Sequence, residues 1–183
     1  MSDNKRGVGL YVGSFNPMTI GHEYILLEAA RSGLFDDIIV CRGINPDKLS
    51  EQSYMSFEEL KEIVEEKNEN FKDVSFSAMF YEVSTIQFFS NMLKKLPLTK
   101  DYSIRNCVLI RGLRSIDDFE HERFYAQTLA QIRQQDIPIV YFMCCPDFAN
   151  VSSSMVRGLI KSSNPEYASK YIAPYDPEEW SSE

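Results

Sequence analysis

The sequence predicts an α/β fold: a single domain built on a doubly wound sheet of five parallel strands with helices on both faces. Three observations predict it. Short apolar runs rich in Val, Ile and Leu alternate with longer amphipathic runs along the whole chain. The 183 residues, 44% of them apolar, can bury one sizeable core but not two. The unusual polar residues fall just after the apolar runs, where the strands of such a sheet hand the chain to a helix.

The first strand is Val8-Gly9-Leu10-Tyr11-Val12, and an amphipathic helix, Ile20 to Ser32, follows it across a turn. Asp37 to Arg42, with Ile38, Ile39 and Val40 in a row, has the continuous apolar centre of a strand buried on both faces. Ser56 to Asn70 reads as the second helix, with Phe57, Leu60, Ile63 and Val64 on one face and a run of glutamates on the solvated one. Val74 to Phe80 gives the third strand, Thr85 to Leu96 the third helix, Cys107 to Ile110 the fourth strand and Asp117 to Gln134 the fourth helix. Ile137 to Met143 and Ser152 to Lys161 complete the series. Such alternation implies parallel strands covered by helices, a Rossmann-like sheet. Residues 1–173 form the domain, Pro97 to Asn106 is a polar surface connector, and 174–183 are an acidic tail with two prolines.

Composition excludes several classes of function. The 27 Asp and Glu against 19 Lys and Arg give a net charge of -8, which repels phosphate polymers and anionic lipid, so neither nucleic acid nor membrane is an expected partner. The longest apolar stretch, Ile137 to Cys145, contains Pro138 and falls well short of the roughly 20 residues of a membrane span. Met1 to Gly7 has neither the apolar core nor the cleavage site of a signal peptide, and a cytoplasmic location is expected. Cys41, Cys107, Cys144 and Cys145 form no C-x-x-C pattern and only His22 and His121 could join them. They read as small buried hydrophobes in a reducing compartment, and no protein-held metal is expected.

Three segments carry the chemistry. After the first strand comes Gly13-Ser14-Phe15-Asn16-Pro17-Met18-Thr19-Ile20-Gly21-His22, which sets a hydroxyl, two glycines and a histidine where a helix begins; free N–H groups and the dipole there favour phosphate. Neither the Walker pattern nor a strand-following G-x-G-x-x-G occurs, which removes P-loop kinases and dinucleotide binders. After the fourth strand comes Arg111-Gly112-Leu113-Arg114-Ser115-Ile116-Asp117-Asp118-Phe119-Glu120-His121-Glu122. Its two arginines suit phosphate oxygens, while Asp117 and Asp118 read as caps of the following helix. The third segment, Asn150-Val151-Ser152-Ser153-Ser154-Met155-Val156-Arg157, places three hydroxyls beside the free N–H groups of the fifth helix.

The patterns G-S-F-N-P-x-T-x-G-H, R-G-L-R-S-x-x-D-F-E-x-E and V-S-S-S-x-V-R closely resemble the three signature segments of the phosphopantetheine adenylyltransferases, within the nucleotidyltransferases marked by [HT]-x-G-H. The resemblance runs from about Leu10 to Lys161. T-x-G-H alone fits an enzyme with another phosphorylated acceptor, such as nicotinamide mononucleotide, or a non-catalytic nucleotide-binding module; R-G-L-R followed by D-F-E points to the phosphopantetheine enzymes. The resemblance implies transfer of AMP from ATP to 4'-phosphopantetheine, giving dephospho-coenzyme A and pyrophosphate, with Mg2+, in a homo-hexamer. It also makes coenzyme A a candidate feedback ligand.

Position by position, the resemblance makes His22 the transition-state histidine and Ser14 a contact to both substrates. It assigns Phe15, Gly112, Leu113, Arg114, Glu122 and the stretch Phe148, Ala149, Asn150, Val151, Ser152, Ser153 and Ser154 to ATP, and Arg111 and Thr85 to phosphopantetheine. Where the family has N-P-x-K-K, this chain has Asn45-Pro46-Asp47-Lys48-Leu49, with leucine at the second lysine. Lys48 is expected to reach the attacking phosphate after a one-residue shift, with Leu49 anchoring the loop and Arg42 as the substitute cation if it does not.

Overall fold

The computed structural model describes residues 6–43, 52–81, 107–133 and 138–174. Five strands, β1 (Gly7–Gly13), β2 (Phe35–Gly43), β3 (Ser75–Tyr81), β4 (Cys107–Leu113) and β5 (Ile139–Met143), form one fully parallel sheet in the order β3-β2-β1-β4-β5. The described helices are α1 (Ile20–Arg31), α2 (Phe57–Glu65), α3 (Ile116–Arg133), α4 (Ser153–Lys161) and α5 (Pro165–Ser169). The third helix expected from sequence, Thr85 to Leu96, lies outside the described residues, as do the connector and residues 175–183 of the tail.

Alternation along each strand sorts the core into two layers. On one face Tyr11, Ile38, Val40, Phe76 and Ile110 pack with Ile25, Leu26, Ala29 and Ala30 of α1 and Leu60 and Val64 of α2. The opposite parity, Val8, Leu10, Val12, Cys41, Cys107, Leu109 and Leu113, is equally buried. α3 belongs to that second face, because its Glu122 meets Arg111 of β4. Burial on both sides is why these strands read as continuous apolar runs.

The structure adjusts several boundaries. β4 continues to Leu113, since Arg111, Gly112 and Leu113 pair with Tyr141, Phe142 and Met143 of β5. α2 ends at Glu65 and tightens into a 3-10 turn, Glu66–Glu69, where Lys67 folds back to meet Glu23 of α1 at 2.5 Å. α5 was not foreseen. No helix among the described residues is long and apolar enough to cross a membrane.

From β1 the chain winds outward through β2 to β3, then returns to the other side of β1 as β4 and β5. The direction reverses between β1 and β4, and the crevice outside the carboxyl ends of these two strands is where ligands bind in such sheets.

Candidate active site

A cavity of about 330 Å³ opens at that reversal. Val12, Gly13, Ser14 and Phe15 line it from the end of β1, Arg111, Gly112 and Arg114 from the end of β4, and Ser152, Ser153 and Ser154 from the start of α4. The three sequence segments therefore converge on one space. Of the other expected residues His22, Glu122 and Val151 also line it, and Thr19, Gly21, Ile25, Asp118 and Cys144 join them. Leu113, Phe148, Ala149 and Asn150 do not line the cavity: Leu113 and Phe148 are buried in packing, Phe148 edge-on to Tyr24. Lys48, Leu49 and Thr85 lie outside the described residues.

The turn after β1 owes its shape to Phe15, which adopts a positive φ of 41°, a conformation costly for an aromatic residue, and drops its ring into the core. The ring meets Tyr11 and His22 edge-on at centroid distances of 5.2 and 5.3 Å. Ser14, lifted beside it, makes no hydrogen bond among the described residues, and its hydroxyl is open to the cavity.

His22 is the third residue of α1, and Thr19 caps the helix. The Thr19 backbone N–H donates to Nδ1 of His22 at 3.0 Å, and the Thr19 hydroxyl lies 2.9 Å from the same nitrogen. A backbone N–H can only donate, so Nδ1 is unprotonated and the proton of the neutral ring sits on Nε2. Burial, then the neighbouring Arg114 and Arg111, push the pKa of His22 down to about 4. His22 thus presents a fixed, neutral N–H donor.

The first turn of α1 leaves one donor open. Ile20 N–H goes to Tyr171 O, His22 N–H to Thr19 Oγ1 and Glu23 N–H to Thr19 O, and only Gly21 N–H lacks an acceptor among the described residues. A Cβ built on Gly21 would make only ordinary contacts, the nearest 3.6 Å from Phe148 O, so the protein itself does not require glycine there. Gly112 contrasts with it: a Cβ there would lie 2.9 Å from Ile25 Cγ1.

Both arginines of R-G-L-R are held by carboxylates. Arg111 grips Glu122 in a two-pronged pair, through Nε to Oε2 at 2.7 Å and through Nη2 to Oε1, and donates through Nη1 to Val12 O at 3.1 Å. Arg114 binds Asp118 in the same two-pronged manner. The expectation that Asp118 acts as a helix cap is corrected: Ser115 Oγ accepts the Asp118 N–H as the cap, and the Asp118 carboxylate turns to Arg114. Arg42 points elsewhere, donating to Met55 O at 2.7 Å and Ser53 Oγ at 3.3 Å, and does not line the cavity.

The serine run and the last described segment brace the turn after β1. Ser152 caps α4 by accepting the Met155 N–H, Ser153 donates to Pro17 O at 2.8 Å, and buried Arg157 donates to Asn16 O and Ser154 Oγ at 2.8 and 3.1 Å. From beyond α5, Ala173 N–H reaches Met18 O, and Ile172 pairs antiparallel with Thr19. Asn16 ties the same turn to residues 52 and 54 through Gln52 O and Tyr54 N.

Residues 10–159 match the cytidylyltransferase-like family. The chain is 32% identical over 169 residues to the phosphopantetheine adenylyltransferase of Neisseria meningitidis, a match covering 92% of this chain and 86% of that one. It is 34% identical to the phosphopantetheine adenylyltransferase of Flavobacterium psychrophilum, over 84% of this chain and 87% of that one. Among solved structures, a bifunctional NMN adenylyltransferase/ADP ribose pyrophosphatase of Francisella tularensis aligns with a TM-score of 0.54 at 13% identity, over 94% of this chain and 46% of that one. That likeness shows the fold alone. The family match across most of the chain, together with relatives about a third identical over nearly their whole length, means that this protein belongs to the cytidylyltransferase-like family, among the phosphopantetheine adenylyltransferases.

Proposed function

We propose that the protein transfers AMP from ATP to 4'-phosphopantetheine, giving dephospho-coenzyme A and pyrophosphate. The observation that carries this reading is one cavity at the start of α1 into which a neutral histidine, an open serine hydroxyl and two carboxylate-braced arginines converge. The chemistry asks for no enzyme nucleophile. An oxygen of the acceptor phosphate attacks the α-phosphorus of ATP in line, the bond between that phosphorus and the bridging oxygen breaks, and the electron pair leaves with pyrophosphate.

Positioning and charge stabilisation remain for the protein. In this reading His22 Nε2–H donates to the α-phosphate oxygen as negative charge builds on it. Arg111, its plane fixed by Glu122, holds the acceptor phosphate, with Lys48 as a second cation, Thr85 at the pantetheine arm and Ser14 touching both substrates. Arg114, Gly21 N–H and the start of α4 hold the triphosphate. Asp118 and Glu122 already spend their carboxylates on arginines, and the described residues hold no cluster of three or more metal-ligating side chains. The described residues thus offer Mg2+ no cage of their own; in this reading Mg2+ would be carried by ATP and would supply neutralisation of its phosphate charge.

A homo-hexamer belongs to the same reading and is supported by large apolar side chains left exposed on α3 and at the end of β5, among them Ile116, Phe124 and Met143. Coenzyme A, which contains the product, would compete for the same cavity. The deciding assay measures pyrophosphate after incubation with ATP, Mg2+ and, separately, 4'-phosphopantetheine, nicotinamide mononucleotide and glycerol 3-phosphate. Release with the first acceptor alone is expected. Release with nicotinamide mononucleotide instead would make this a different adenylyltransferase, and no release with any acceptor would leave a nucleotide-binding module.

A further inference from the structure

Asp118 departs from the pattern set by its own helix position. In a capping box the third helical residue accepts the N–H of the cap residue, as Glu59 does from Ser56 at 2.6 Å in α2. Ser115 and Asp118 have the same spacing, and Ser115 Oγ does accept the Asp118 N–H at 3.2 Å. The reciprocal bond goes elsewhere. Asp118 Oδ2 accepts the backbone N–H of Arg114 at 2.9 Å and Arg114 Nε at 3.0 Å, while Oδ1 accepts Arg114 Nη2 at 3.1 Å.

Three bonds from one carboxylate fix both the backbone and the guanidinium plane of Arg114. They consume one edge of the fork and leave Nη1 without an acceptor among the described residues, on a side chain that lines the cavity and is 42% exposed. A long, half-exposed arginine otherwise has many rotamers to lose when it meets an anion. We propose that Asp118 is a positioning residue, holding Arg114 with its free edge toward the polyphosphate of the nucleoside triphosphate. This rests on the reading of the cavity as a triphosphate site.

The sign of one measurement separates positioning from simple charge balance. A carboxylate beside an anion site repels the anion, so if Asp118 were only a nearby charge, removing it would tighten anion binding. Positioning predicts the reverse. The experiment titrates ATP, and separately inorganic tripolyphosphate, into the wild type, Asp118→Ala, Asp118→Asn, Arg114→Ala and the Asp118→Ala/Arg114→Ala double variant, with calorimetric detection.

Asp118→Ala is expected to weaken tripolyphosphate binding by roughly tenfold and Asp118→Asn by less, because Asn keeps one acceptor. The double variant should bind no worse than Arg114→Ala, within about twofold, because Asp118 acts through that arginine. In kinetics the KM for ATP should rise while that for the acceptor stays put, and Ser115→Ala, which removes only the cap, should lower the melting temperature without moving the KM for ATP. If Asp118→Ala does not fold, Asp118→Asn decides alone. Unchanged or tighter binding in the Asp118 variants overturns the proposal, as does a double-variant loss equal to the sum of the single losses, or a wild type that binds neither ligand. Tripolyphosphate needs no acceptor, so a failed pyrophosphate assay beside weakened tripolyphosphate binding would sink the reaction and leave the role of Asp118 standing.

Discussion

A histidine whose Nδ1 accepts a backbone N–H cannot take up a second proton there without losing that bond. For His22 burial adds to the cost, and so does the pair of arginines nearby, which together push its pKa down to about 4. Free in an unfolded chain it would titrate near 6.5. Between those values the unfolded chain binds the proton and the folded chain does not, so the neutral ring's contribution is intact above about pH 6.5 and is lost as pH falls toward 4. The loss should reach at most about 3 kcal/mol, less for the ring's partial exposure, and urea titrations of wild type against His22→Gln over that range would measure it. The kcat profile should show no limb near pH 6.5, and His22→Ala should lower kcat by roughly 10²–10³ with ATP affinity nearly kept. A limb at pH 6.5 would mean that the ring is not the neutral donor described.

Gly21 makes a complementary prediction. Its surroundings accept a methyl group, so Gly21→Ala should keep or slightly raise the melting temperature, alanine favouring a helix by about 1 kcal/mol. ATP affinity should nevertheless fall, because the methyl group would crowd a phosphate approaching the open N–H; unchanged affinity would show that no ligand approaches there. At this scale sequence was a good guide to residue types and a poor one to partners. His22, Ser14 and the arginines stood out by their place at strand ends, whereas Thr19, which sets the tautomer, and Asp118, which turns away from its cap, each depend on a rotamer that spacing does not specify.

Among the elements, α1 and β4 meet with no room to spare. Gly112→Ala would drive a Cβ to 2.9 Å from Ile25 Cγ1, so that this side chain or the helix carrying it and His22 must give way, an overpacking change costing roughly 1–3 kcal/mol. Chemical denaturation would register it, and activity should fall with it if the helix rather than the Ile25 side chain moves. α4 acts through hydrogen bonds instead: Arg157→Met would release Asn16 O and Ser154 Oγ, and activity should drop while the far-UV circular dichroism of the sheet persists. The strands were legible because burial on both faces leaves a continuous apolar signature. The end of β4 was not, since Arg111-Gly112-Leu113 interrupts that signature while still pairing with β5. α5, five residues beginning at Pro165, is too short to display a helical period.

Across the whole molecule the parallel sheet and its helical cover were readable from alternation, because strand–helix units allow few other arrangements, whereas the strand order, with its reversal between β1 and β4, came from the structure. Which distant segments would touch was not. Glu23 and Lys67, an ion pair almost closed to solvent between α1 and the turn after α2, lay within runs that read as solvated helix faces or ordinary core. Lys67→Met takes the ammonium from a carboxylate almost closed to solvent, so it should destabilise the fold by up to roughly 3–5 kcal/mol, more than any surface substitution on α2. A melting temperature within a few degrees of wild type would show that the fold does not depend on this ion pair.

The turn from Ser14 to Thr19 leaves the ribosome among the first residues of the domain, yet beside its early ties to Gln52 and Tyr54 much of what holds it comes late in the chain: Ser153, Arg157, and the backbone of Tyr171 to Ala173. A partly made chain could pair β1 with β2 and β3 and still lack the braces that set Phe15 and His22 in place. The braces on Asn16 O, Pro17 O and Met18 O therefore join only once residues 153 to 173 have been made, and a shorter nascent chain can hold much of the sheet while those three carbonyls still lack their partners.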